Sequence, residues 1–239
     1  MCEARVGTSG WSYPEWTGSF YPLGTSTSRM LPYYARQFPA VEAHGTYRRL
    51  PTASALERWC SQVPDGFQFA PKAHIGITHR RDLEGVEDRV ADFVTTVATL
   101  GDRLGPVLFS LPHRHPDLER LDRLLGALPK DDPGLRWAFE LGPAWVNDDV
   151  LSRLEAHDAT LVLVDADGQR APDLDVGPFT YLRLRRSRYD REELDAWSAR
   201  LRETARAGRD VYAFFKHDEH GDGPRYARRV MGGLERSGR

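Results

Sequence analysis

The chain has 239 residues, 40% of them apolar, which is enough to bury a full core and is the size of one α/β domain. Its formal net charge of −2 excludes the broad basic field that drives nonspecific nucleic-acid binding, while leaving room for a local basic pocket. No run approaches the about 18 uninterrupted apolar residues of a membrane span, and the start MCEARVGTSGW has no apolar leader, so the expectation is a cytoplasmic protein with no membrane partner.

In chain order, short apolar runs rich in β-branched and aromatic residues fall at 5–8, 40–43, 67–71, 107–111, 136–141, 160–165, 180–184 and 211–215. Their continuous apolar character predicts strands buried on both faces, as in a parallel sheet. Segments with helical spacing lie between them. In 86–100, Val90, Phe93, Val94, Val97 and Leu100 share one face; 118–128 is similar, and 192–205 groups Leu194, Trp197 and Leu201. Asn147 is placed to cap a helix through Val150, Leu151 and Leu154, and Pro224 to open the last one. The connection from Asp165 to Thr180 (DADGQRAPDLDVGP) carries loop chemistry and predicts an irregular crossover. Strand and helix alternating eight times predict a closed (β/α)8 TIM-type barrel, one domain over 1–239 with a mobile tail from about 233.

Several blocks, in order, resemble the family called domain of unknown function 72 (YecE-like). They are GTSGWSYPEWTGSFYP, VEAHGTYRRLP, FQFAPKAHIGITHRRDL, LGPVLFSLP, WAFELGPAW, YLRLRRSRYD and VYAFFKHDEHGDGPRYA. The resemblance covers nearly the whole chain and implies a TIM-type barrel with a pocket, but no reaction. The chain departs from the commoner pattern at His44, Arg48, Ser110, Gly142 and the pair Arg185 and Arg186.

Barrel enzymes collect reactive groups at the C-terminal ends of their strands. That rule gathers Glu42, Lys72, Glu140 and Lys216 as candidate catalytic groups, and Trp11, Tyr13, His44, His79, Trp145, Arg183 and His217 as candidate substrate-binding groups. Glu42 in AVEA and Glu140 at the end of WAFE are carboxylates flanked by core residues. Each is costly there unless it is functional or pairs with an arginine such as Arg183. Only three of the 33 basic residues are lysines (Lys72, Lys130, Lys216), and two of these fall at strand ends. A lysine there is either a fixed cation for a carboxylate or phosphate, or an amine able to give up its proton.

The two cysteines, Cys2 and Cys60, are too few for a disulfide framework or a four-thiolate site, and no phosphate-binding or dinucleotide-binding glycine motif occurs. The cofactor therefore stays open. HDEHGDG (217–223) has a metal-like composition and also reads as a solvated loop; His113 and His115 read as loop residues. Three functions compete. The leading one is acid/base catalysis on a small polar or anionic molecule, with Lys72, Arg183 and Lys216 neutralising it and Glu42 or Glu140 moving a proton. A divalent-metal hydrolase or isomerase would need Glu140, Asp165 and His44 or His217 to converge. Binding without catalysis, of a small ligand or of a nucleic acid, would draw on Arg48, Arg185 and Arg186.

Overall fold

The computed structural model describes residues 2–80, 84–111, 116–130, 132 and 134–235; His113 and His115 lie outside them. Eight parallel strands form where the apolar runs lie: β1 (Ala4–Thr8), β2 (Ala40–Ala43), β3 (Gln68–Pro71), β4 (Val107–Ser110), β5 (Trp137–Glu140), β6 (Ala159–Asp165), β7 (Thr180–Leu184) and β8 (Val211–Phe215). The helices are α1 (Thr27–Ala35), α2 (Ala53–Cys60), the single turn α3 (Ile75–Thr78), α4 (Val86–Val97), α5 (Leu118–Gly126), α6 (Asp148–Glu155), α7 (Arg191–Arg206) and α8 (Asp222–Glu235). Local chemistry sets their starts. Asn147 Oδ1 accepts the Val150 N–H at 3.1 Å, and Asp190 with Glu193 closes a reciprocal capping box on α7. Between β6 and β7, residues 166–179 hold turns and bends but no helix.

The expected closed barrel is corrected. The ladders form a curved, six-stranded half-barrel in the order β1–β8–β7–β6–β5–β4, and β2 and β3 pair with each other as a separate small sheet. Only isolated bridges join the two, Ser9 to Glu42 on one side and Phe69 to Leu104 and Lys72 to Leu108 on the other. The cause is visible at each seam. Between β1 and β2 the Tyr34 hydroxyl sits where a backbone bond would run: it accepts the Thr8 N–H at 2.8 Å and donates to the Ala40 carbonyl at 3.2 Å. At the other seam β3 ends in Pro71, which has no N–H to donate, so pairing there is intermittent.

Side chains alternate along the strands, and this builds two layers on the inner face. The lower layer is apolar: Ala40, Ala70, Leu108, Ala138, Val162, Phe179, Tyr181, Tyr212 and Phe214 form one buried cluster. Two residues further along five of these strands stand Glu42, Lys72, Ser110, Glu140 and Arg183, all buried. A larger apolar cluster fills the space between the strands' outer faces and the helices. Among the described residues no helix is long and apolar enough to cross a membrane.

Candidate functional site

The polar layer is organised by Arg183. It donates through Nε and Nη2 to Glu42 Oε2 and Oε1 at 2.9 and 2.8 Å, and through Nη1 to Glu140 Oε2 at 2.6 Å. The fork geometry of guanidinium suits this two-point grip on one carboxylate while leaving a donor for a second. Tyr181, one inward step below Arg183 on β7, donates to Glu42 Oε2 at 3.0 Å. All of these groups are at most 4% exposed.

Burial alone raises a carboxyl's pKa, but here charge outweighs it. Arg183 foremost holds Glu42 well below the usual carboxylate range. Glu140 is brought down to about 2 against the effect of burial, by Arg183, the Ser110 side chain and Lys72. Burial and the adjoining Glu42 charge push the Tyr181 phenol well up. Glu42 and Glu140 are thus ionised and arginine-bound, the paired arrangement that the sequence left open beside a catalytic one.

Two cations beside this clamp lack such a partner. Lys72 is 8% exposed, and among the described residues its Nζ pairs with no carboxylate; it lies over the Tyr47 ring, 4.5 Å from the centroid. Burial and then the Arg183 charge lower its pKa, which Glu140 and Glu42 only partly offset. The side chain of Arg185, the next inward position after Arg183, donates only a long 3.4 Å bond from Nη1 to Ser9 Oγ among the described residues. Burial and Arg183 also disfavour its charge. Two carboxylates therefore face three cations, Lys72, Arg183 and Arg185.

The remaining candidates surround this cluster unevenly. His44 lies at its edge: Nδ1 is 3.7 Å from Glu42 Oε1, beyond hydrogen-bonding reach, and this buried nitrogen has no hydrogen-bond partner. Tyr13 donates to the Ser9 carbonyl at 2.7 Å and stacks on exposed His217 at 4.3 Å. Burial first, then the Glu42 charge, pushes the Tyr13 phenol up to about 12. Trp11 packs edge-on against Trp59 at 4.9 Å. His79 is exposed after α3 and bonds Thr78 Oγ1 through Nδ1 at 2.8 Å. Lys216, just past β8, is half-buried. Trp145 is 1% exposed within the outer apolar core.

A cavity of about 440 Å³ opens beside the cluster, lined by Trp11, Tyr13, His44, Thr46 and Trp59 among others. The reasoning from sequence missed Tyr181, Tyr47, Thr46 and Trp59. Tyr181 was within reach, because Tyr181, Arg183 and Arg185 repeat every two residues along β7. The others come from helices and turns whose docking no local pattern encodes.

The metal-centre geometry is not assembled. Asp165 is held by Arg186 Nε at 2.9 Å and by the Tyr189 hydroxyl at 2.9 Å, while Glu140 is held by Arg183. Among the described residues no group of three or more His, Cys, Asp or Glu is placed to hold a metal ion. In HDEHGDG the Asp218 carboxylate accepts the N–H groups of His220, Asp222 and Gly223 at 2.7–2.9 Å, so it ties the loop to the start of α8.

Comparison with known proteins follows the same lines. A family model described as Protein of unknown function DUF72 matches residues 5–239. UPF0759 protein YecE of Escherichia coli (strain K12) is 34% identical over 107 residues, 45% of this chain and 37% of YecE, so the match spans little more than a third of that relative. UPF0759 protein YunF of Bacillus subtilis (strain 168) is 25% identical over 91% of this chain and 89% of its own length. Among solved structures, a DUF72 family protein from Thermotoga maritima superposes with a TM-score of 0.84 at 24% identity, covering 97% of this chain and 99% of that one. One from Enterococcus faecalis gives 0.77 at 19% identity, covering 97% and 95%. At such identities the structural likeness concerns the fold alone. The match to the family model over residues 5–239 settles membership: this chain belongs to DUF72, a family described as being of unknown function.

Proposed function

We propose that the protein binds a small anionic molecule at the C-terminal ends of its strands and acts on it by proton transfer, with Lys72 as both anion anchor and proton carrier. The observation that carries this is Lys72 itself, a side chain 8% exposed whose ammonium makes no salt bridge among the described residues and feels Glu140 and Glu42 only at longer range. An unpaired buried cation is costly, and an arriving anion would relieve that cost. Arg185 is the second anchor. Arg183 acts indirectly, because its donors are engaged by Glu42 and Glu140. Those carboxylates are poor proton donors at neutral pH, being held ionised, so the Lys72 amine, whose pKa is lowered, is better suited to exchange a proton.

Calorimetric titration of inorganic phosphate and of acetate, at low and at physiological ionic strength, tests the anchor. Lys72→Met should weaken binding on the order of ten-fold or more, and binding should fall with salt. Unchanged affinity in Lys72→Met would end the proposal. Lys72→Arg separates the two roles, since arginine keeps the charge and cannot release its proton. It should retain binding and lose turnover. Binding without turnover is the second reading, favoured by the locked state of both buried carboxylates; equal turnover in Lys72→Arg and wild type would take the proton-carrier role from Lys72.

A further inference from the structure

We infer that the ligand is an aryl anion, a flat aromatic body carrying a phosphate or carboxylate, with the ring in the cavity walled by Trp11, Tyr13 and Trp59 and the anion on Lys72 and Arg185. This rests on the anionic reading above and adds the class of molecule. The cavity, about 440 Å³, is of ordinary size for a small-ligand site. Trp11 and Trp59 meet at an interplanar angle of 88°, and both are half-buried, so they form a corner that still presents ring surface to the opening.

Three residues join the cavity to the charged cluster. His44 lines the cavity while its Nδ1 faces Glu42 at 3.7 Å. Tyr13 lines it too, and its hydroxyl bonds the carbonyl of Ser9, whose own hydroxyl receives Arg185. Thr46 gives a third link, since its hydroxyl reaches the Lys72 carbonyl at 2.6 Å. A molecule filling the corner therefore lies against residues that adjoin the charged cluster, and on the anionic reading its charged end is turned toward Lys72 and Arg185.

The walls select against a sugar. The Tyr13 and Thr46 hydroxyls are engaged by backbone carbonyls, Ser12 and Arg49 are exposed, and His44 Nδ1 is left as a lining nitrogen without a hydrogen-bond partner. A sugar seated there would find His44 but few other inward partners for its several hydroxyls, a cost an aromatic ring does not carry. Ring-on-ring contact with tryptophan adds to the gain from apolar burial.

The test compares phenyl phosphate with inorganic phosphate, and benzoate with acetate, by calorimetry and by quenching of tryptophan fluorescence. A hexose phosphate serves as the polar competitor. At least one aryl anion should bind on the order of ten-fold or more tightly than its simple counterpart. Trp11→Leu should erase that gap and leave the weak phosphate binding intact. Gly45→Leu provides a second variant that adds bulk at the cavity: Gly45 lines it, and a Cβ there meets no atom within 4 Å. It too should erase the gap. Equal affinity within both pairs, or a hexose phosphate binding as tightly as the aryl anions, would overturn the inference while leaving the anionic site standing. Absence of binding by all five anions would overturn the anionic reading itself.

Discussion

A guanidinium shared by Glu42 and Glu140 keeps both carboxylates ionised far below neutral pH, and this makes the cluster sensitive to acid rather than to base. Both folded-state values are depressed, so their stabilisation is complete above the unfolded value near 4.5 and is lost as pH falls through the folded value, about 2 for Glu140. Glu140→Gln removes one charge-assisted bond and should cost about 1.5–3 kcal/mol at pH 7. The gap to wild type should close as pH drops from about 4.5 toward 2, measured as denaturation midpoints across that window. A gap that stays constant with pH would show that the carboxylate's charge does not stabilise the fold. At this scale the burial of three charges was legible beforehand. Glu42, Glu140 and Lys72 stand out because charged groups inside apolar strands need a reason. Arg183 was one of two readings for these carboxylates, and that a single guanidinium 141 positions from Glu42 holds both was not legible.

Caps and strand parity are local, and the elements they govern follow the sequence closely. Asn147 caps its helix, and the apolar runs become strands. Other elements depend on contacts no local pattern encodes. The turn into β7 is one: Gly177 has φ +86°, and a Cβ there would lie 2.5 Å from the Ala159 carbonyl oxygen and 2.6 Å from the Thr160 Cα. Gly177→Ala meets both a left-handed backbone and a backbone clash, so it should lower stability by about 1–3 kcal/mol, read from chemical denaturation. A neutral result would mean that this turn rearranges freely. The seam between β1 and β2 is another such element. Nothing in the Tyr34 neighbourhood marks it as the side chain whose hydroxyl stands between two strands.

For the molecule as a whole, the division into six strands and two replaces the closed sheet that eight apolar runs suggested. Strand count and order follow from alternation, but closure depends on whether neighbouring backbones exchange hydrogen bonds along their whole length. The small sheet is two four-residue strands bridged only at isolated points to its neighbours, so fewer bonds must break to release it. Native-state hydrogen exchange should find the Val41 and Ala70 amides opening faster than Leu182 and Ala213 in the centre of the large sheet. Equal protection would mean that the seams open only with the whole molecule. The site spans this division: Glu42 and Lys72 come from the small sheet side, Glu140, Arg183 and Arg185 from the large one. Arg183 in the grip of Glu42 is therefore also a tie across the seam.

By itself the sequence determined the eight strand positions, most helix starts and the buried charges Glu42, Lys72, Glu140 and Arg183. Each follows from periodicity, capping chemistry or the cost of desolvating a charge. Only the tertiary structure decided that the sheet stays open at two seams, that the single guanidinium of Arg183 grips both carboxylates, and that Lys72 and Arg185 make no salt bridge to a carboxylate among the described residues. These outcomes depend on distances between residues far apart in the chain, set by how the strands tilt and stack, and a one-dimensional pattern carries no record of such distances.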